Sequence, residues 1–448
     1  KRFASWGIDR FLRKMVRAFS HTRSSVPGCP LTVTSSAFAT VFLTLLAVSL
    51  ALQLWLARRH ALHVAAHRDA VPAAFADRVS LPAHQKAADY TVARTRLGML
   101  EAVVETALLI ALTVGGGLAL LVGWTGDLPV PGLARDLAMI VAVALISGIV
   151  GLPFSYVSTF VIEAKFGFNR MTRALWLADL VKGIAIGAAL GLPLAALVLW
   201  LMAAAGALWW IWAWVVWVAF QLLVLALYPT VIAPLFNKFS PLPAGSARDA
   251  IERLLARCGF ENRGLFVMDG SKRSSHGNAF FTGFGRAKRI VFFDTLLERL
   301  TPDEIEAVLA HELGHFRLKH VLKRMLWSAA LSLVFLALLA WLAASPWFYE
   351  GLGVPPALDR PGVALILFFL ALPAFTFVFA PLSALYSRRH EFEADAFAAR
   401  HASAASLVRA LVKLFEDNAA TLTPDPYYSA FHDSHPPAAL RVARLEGA

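Results

Sequence analysis

The sequence predicts an α-helical integral membrane protein: seven transmembrane helices with a polar α+β insert before the sixth. Three observations predict it. Of the 448 residues, 58% are hydrophobic and 16% charged, and mean hydropathy is +0.62. Soluble domains sit nearer half apolar and a quarter charged, so one water-soluble core cannot hide this much apolar surface. Apolar runs near 37–57, 102–124, 137–161, 184–202, 208–228, 325–344 and 363–385 are each of the order of the 20 residues needed to cross about 30 Å of hydrocarbon. The basic residues, finally, alternate from loop to loop.

Taken in order, residues 1–35 form a basic N-terminal segment that starts without methionine. It is read as an artefactual, processed or misassigned start and stands outside the fold. Residues 36–235 hold five spans, 236–323 the polar insert, 324–386 spans six and seven, and 387–448 a polar tail. The loop after span one carries Arg58, Arg59, Arg78, Lys86, Arg94 and Arg96. The insert carries Lys272, Arg273, Arg286, Lys288 and Arg289, and the stretch after span seven Arg388 and Arg389. The opposite loops hold only Arg135 and Arg360. Lys and Arg gather on the cytoplasmic side, so all the basic loops face the cytoplasm. This asymmetry accounts for the formal charge of +12; no nucleic-acid partner is expected. The two cysteines, Cys29 and Cys258, fall on opposite sides and make neither a disulfide framework nor a metal cluster.

Within the insert, NKFSPLPAGSARDAIERLLARCGF reads as a turn and an amphipathic helix that Ser246 could cap. GLFVMDG, HGNAFFTGFG and RIVFF are short runs rich in aromatic and β-branched residues, separated by glycine, and predict a small sheet. TPDEIEAVLAHELGH follows with a helix start: Thr301 as N-cap, Pro302 at the first position and Glu304 completing a capping box.

That helix places His311 and His315 on one face, since residues i and i+4 lie one above the other. Both imidazoles can reach one metal ion, and Glu312, roughly 100° around the helix, reaches its open coordination position. Zinc hydrolases use this arrangement: two neutral histidines, a carboxylate general base, and water whose pKa the ion lowers to about 7. HExxH alone also arises by chance, as a solvated helix face, so a third ligand is needed. Glu391 and Asp395, in SRRHEFEADAFAAR after span seven, again share one helical face. Glu391 is assigned to the metal. Asp395 is assigned to the far nitrogen of His311, fixing its tautomer. Glu393, on another face, reads as a surface charge. Two spans separate the ligands, which returns the chain to the side it left.

HELGH, EFEAD, IAPLFNKFSPLP, SKRSSHGNAFFTGFG, RIVFFDTLLE and HDSHPP, with ADYTVARTRLG and FGFNRMT in the N-terminal half, resemble the zinc-dependent CAAX prenyl endopeptidases. The resemblance spans nearly everything from about residue 85 onward. It implies a seven-helix barrel around a large intramembrane chamber, capped by a cytoplasmic zincin-like catalytic domain. It implies one Zn²⁺ per chain and a peptide or protein substrate, prenylated in the family. It also implies substrate pairing along Asn278 and Ala279 as an edge strand, oxyanion stabilisation by His435, and Arg441 at the substrate nearby. Glu312 would take a proton from the attacking water and give it to the leaving amine. The Ala- and Arg-rich composition and short loops point to a bacterial inner membrane, with the endoplasmic reticulum as alternative. A bacterial setting would make the substrate a membrane-associated protein under quality control, without prenyl specificity.

Three other readings compete. Site-2 intramembrane proteases carry HExxH inside a hydrophobic span; here it precedes span six on a charged helix. Heat-shock-type membrane zinc proteases share both motifs but resemble shorter chains. A transporter with an incidental motif would draw on Glu105, Asp179 and Lys182, in or beside spans.

Overall fold

The structure is a computed structural model that describes residues 33–260, 264–282 and 289–447. The N-terminal stretch through residue 32, with Cys29, and the basic Arg286 and Lys288 lie outside the described residues. Helices α1 (Ser35–Ala66), α2 (Leu81–Leu112), α3 (Gly117–Gly126), α4 (Gly132–Val157), α5 (Arg173–Ala204) and α6 (Trp209–Leu227) make the N-terminal half. π turns extend or follow these helices: Ser158–Glu163 continues α4, and Tyr228–Ile232, which carries Pro229, leads from α6 into α7 (Ala233–Phe236). Pro229 lacks the N–H that an ordinary turn would use there.

Strand β1 (Phe239–Pro241), α8 (Ser246–Arg257), β2 (Leu265–Met268), β3 (Ala279–Thr282), β4 (Arg289–Phe293), α9 (Asp294–Arg299) and α10 (Pro302–Arg317) form the insert. Then come α11 (His320–Ala343), α12 (Pro346–Gly351), α13 (Pro361–Thr376), α14 (Ala380–His401), α15 (Ala404–Asp417), α16 (Pro426–His432) and α17 (Ala438–Glu446).

Among the described residues, six helical segments are long and apolar enough to cross a membrane, and seven when α2 and α3, bent by 50° at their junction, count as one span. The glycines at the bend explain it: Gly116 has φ 81°, and Cβ atoms on Gly115 or Gly117 would strike the Ala111 backbone at 2.9 and 2.7 Å. The spans close into a ring. α1 packs on α2, α2 on α4, α4 on α5, α5 on α6, α6 on α11, α11 on α13, and α13 returns to α1. Large apolar side chains such as Leu120, Ile149, Trp212, Trp327 and Phe369 on the spans are each more than half exposed, as expected of helices that meet lipid rather than water. Seven spans and a barrel are therefore observed as expected.

The polar part forms its own core. Ile251, Leu254, Ile290, Phe292, Leu309, Leu313, Phe397, Leu411 and Val442 pack together, joining the insert to the C-terminal tail across the two intervening spans. Phe75 and Val79, from the loop after span one, complete it. The sheet order is β1-β2-β4-β3, with β2 and β4 parallel and the two outer pairs antiparallel. β3 is therefore an edge. Ser246 is not the cap of α8: it is the first helical residue, and Gly245 precedes it at φ 152° with no side chain to donate or accept. The capping box of α10 is present as expected, with the Thr301 N–H donating to Glu304 Oε2 at 2.8 Å.

Candidate active site

Helix α10 lies along α14, the continuation of span seven, and Gly314 sets the approach: a Cβ there would sit 3.0 Å from Ala394 Cα. The close packing brings donor atoms of three residues together, with His311 facing Glu391 Oε2 and His315 facing Oε1. His311 Nε2 and His315 Nε2 are 3.2 Å apart, and each lies 3.4 Å from an oxygen of Glu391. A tetrahedral ion with bonds of about 2.0–2.1 Å holds its donors about 3.3–3.4 Å apart. The triangle has that size, and Glu391 Oε2 is buried without a hydrogen-bond partner. The donor set fits a divalent metal of borderline softness.

Behind the triangle, His311 Nδ1 and Asp395 Oδ1 are 2.8 Å apart. Asp395 in turn accepts from Arg441, Nε to Oδ2 at 2.9 Å and Nη2 to Oδ1 at 2.6 Å. Arg441, expected at the substrate, is 5% exposed and committed to Asp395. The contact the structure shows is therefore to Asp395, which the guanidinium holds through its Nε and Nη2 edge. Glu393, expected to be a surface charge, reaches His320 Nε2 at 3.0 Å; the i+2 offset from Glu391 turns it toward the start of span six.

Two further groups neighbour the triangle. Glu312, half-buried, follows His311 on the helix. Burial lifts its carboxyl above the usual range, and the neighbouring Glu391 adds to the lift although His311 opposes it. His435, on the tail between α16 and α17, points Nε2 at Glu391 Oε2 from 3.6 Å with its ring largely exposed. Although the ring keeps a face open to solvent, desolvation by the surrounding site outweighs the pull of Glu391, and its titration falls below the ordinary value. His311 and His315 titrate apart: burial depresses both, but Asp395 and Glu391 raise His311 overall, whereas a charged His311 adds to the burial that depresses His315.

The edge strand lies beside this site, where α10 touches β3. The Phe293 N–H donates to Asn278 O at 3.0 Å, so in the alternation of an antiparallel ladder Ala279 turns its own N–H and C=O to the open edge. The Asn278 side chain accepts that N–H at 2.8 Å. A cavity of about 810 Å³ opens between the first two spans and this strand, bordered by Gln53, Tyr90, Arg94, His276, Asn278 and His432.

Several residues on this framework had no sequence signal beyond their motifs. Tyr90 Oη donates to Glu163 at 2.5 Å, and Glu163 also faces His276, whose ring stacks on Phe168. Asp179, a suspect for a transporter, pairs with Arg273 at 2.8 Å, and Lys182 caps the Leu235 carbonyl at 2.9 Å. The first ties a span to the insert, and the second ties it to the short helix just before the insert. Glu105 borders a small apolar cavity between spans.

The comparisons agree with this architecture. Residues 60–238 match the family described as CAAX prenyl protease N-terminal, five membrane helices, and residues 241–448 match peptidase family M48. A CAAX prenyl protease 1 homolog of Oryza sativa is 42% identical over 70% of this chain and 74% of its own. CAAX prenyl protease 1 of Saccharomyces cerevisiae is 37% identical over 70% and 72%. The crystal structure of Ste24p from S. mikatae superposes with a TM-score of 0.86 at 30% identity, covering 94% of this chain and all of that one. With the metal-sized triangle beneath a closed ring of spans, these similarities lead to one statement. The chain belongs to peptidase family M48 and is a multi-pass membrane metalloendopeptidase.

Proposed function

We propose that the metal is zinc, one ion per chain, held by His311, His315 and Glu391, and that the enzyme cuts CAAX-like or membrane-associated substrates near their C-terminus. The observation that carries this reading is the triangle of 3.2 and 3.4 Å separations with an unpartnered buried carboxylate oxygen at one corner. Two imidazoles and a carboxylate are the donor set of catalytic zinc.

A zinc ion so held acidifies water and polarises a carbonyl. The chain's own groups do the rest. Glu312, with its raised pKa, accepts the proton of the attacking water and delivers it to the leaving amine. His435 Nε2 donates to the oxygen on which negative charge develops. Ala279 offers its outward N–H and C=O to an extended substrate backbone, with Asn278 releasing the N–H it now accepts. Asp395, gripped by Arg441, fixes the tautomer of His311.

The names of the relatives support a prenylated CAAX substrate, and the 810 Å³ cavity beside Asn278 supplies room for a lipidated chain end. Basic residues in the loop after span one, in the insert and after span seven support a cytoplasmic catalytic side. Composition favours a bacterial inner membrane; the eukaryotic relatives keep the endoplasmic reticulum as the second reading.

The test is metal content and cleavage of a farnesylated CAAX peptide by detergent-purified protein, with Glu391→Ala and Glu312→Ala beside it. About one zinc per chain, lost in the first variant and kept in an inactive second, is expected. A well-folded wild type that takes up no zinc would overturn the reading. Zinc with hydrolysis only of unprenylated membrane substrates would move the specificity to membrane-protein quality control.

A further inference from the structure

A second histidine–carboxylate pair stands behind the metal triangle. Lys319 adopts a left-handed conformation, φ 58° and ψ 34°, which ends α10 and restarts the chain as α11 at His320. The turn folds His320 back beneath His315. Their Nδ1 atoms are 3.0 Å apart, and His320 Nε2 lies 3.0 Å from Glu393 Oε2. His320 is fully buried, stacked on His390 with centroids 4.0 Å apart and planes at 10°. Arg389 donates to the other Glu393 oxygen at 2.9 Å.

Proton placement decides what this chain of groups can do. A neutral His315 that turns the Nε2 lone pair toward the triangle carries its proton on Nδ1. It then donates to His320 Nδ1, which leaves the His320 proton on Nε2, where it donates to Glu393. Every ring nitrogen is used once and none faces its like. We propose that His320 and Glu393 are positioning residues that hold His315 in the metal-binding tautomer and orientation, doing through a histidine relay what Asp395 does directly for His311. This rests on His315 being a ligand, as argued above.

His320, His390 and Glu393 also present donor atoms within 4.8 Å of one another, and His390 Nδ1 is buried without a partner. A second metal there is the competing assignment, and two features oppose it. Nearly parallel stacked rings cannot aim their in-plane lone pairs at one ion. Metal on His320 Nε2 would also move its proton to Nδ1, against the proton on His315 Nδ1.

The experiment measures zinc affinity of the full-length protein in detergent, by competition with a chromophoric chelator, for His320→Phe, His320→Asn and Glu393→Gln. His320→Phe keeps a ring on His390 but removes the acceptor, and is expected to weaken zinc about tenfold to a hundredfold. His320→Asn, whose Oδ1 can stand where Nδ1 stood, should recover most of that loss. Glu393→Gln, which keeps an oxygen for His320 at this partly exposed position, should cost a smaller factor. Wild-type affinity in His320→Phe, an Asn variant no better than Phe, or two zinc ions per chain with one lost on removing His320, would each overturn the proposal. If the Phe variant does not fold, unchanged affinity in Glu393→Gln overturns it alone. Zinc retained in His315→Ala would instead strike the ligand assignment itself, so the two failures are distinguishable.

Discussion

Gly314 and Ala394 meet backbone to backbone: a Cβ on Gly314 would lie 3.0 Å from Ala394 Cα and 3.2 Å from its carbonyl oxygen. This contact sets how near Glu391 comes to His311 and His315. Neither side of it can yield as a flexible side chain would. Gly314→Ala is expected to cost about 1–3 kcal/mol as an overpacked core site and to spread the donor triangle. Thermal melting with and without zinc checks it. A variant that melts like the wild type and binds zinc as tightly would show that the helices shift freely.

Arg441 supplies a second prediction. It is buried with both forks on the buried Asp395, and removing one partner of such a pair leaves an uncompensated charge, at about 3–5 kcal/mol. Arg441→Met should therefore lower the melting temperature markedly and weaken zinc through His311. Arg441→Lys, one nitrogen in place of a fork, should recover only part. A substrate-binding arginine would behave otherwise, raising KM while leaving metal affinity untouched, and steady-state kinetics beside metal competition separates the two.

The third prediction concerns pH. Burial alone would lift the Glu304 carboxyl, but Lys413 Nζ at 2.7 Å and the Thr301 N–H at 2.8 Å bring it below its ordinary 4.5. A carboxylate depressed on folding stabilises the protein fully above its unfolded pKa, and that contribution is lost as pH falls through the folded value. Acidification below about 4.5 should thus loosen the start of the HELGH helix. Glu304→Gln should cost about 1 kcal/mol near neutrality and flatten the acid limb of the melting curve. An acid limb as steep as wild type would assign the effect to another carboxylate.

Much of this molecule was legible from sequence because its signals are periodic or closely spaced. Apolar runs marked the spans, and i, i+4 spacing put His311 with His315 and Glu391 with Asp395. Thr301 and Glu304 announced their capping box. What was hidden depends on contacts between distant segments. Nothing local says that Arg441 turns inward to Asp395 or that Tyr90 and Glu163 meet His276. Ser246 misled because the preceding Gly245 takes an extended entry that no capping side chain serves. Glu393 was judged by its helical face alone; the left-handed Lys319 that brings His320 to it is not a residue type that advertises such a turn.

The last prediction tests the edge strand. Ala279 points its N–H away from β4, so a proline there removes no bond from the ladder, and edge strands tolerate proline on such a position. The cost falls on whatever pairs with the open edge. Ala279→Pro should leave zinc content and melting temperature near wild type while lowering kcat/KM. The loss should be at least about tenfold, the value of one backbone hydrogen bond of about 1.5 kcal/mol realised with substrate. Short peptides that cannot reach β3 should lose less than longer ones that can. Equal losses for both lengths would mean that the proline disturbs the zinc helix through its contact with β3 rather than the substrate. Unchanged kinetics with the longer peptides would remove the edge strand from substrate recognition altogether.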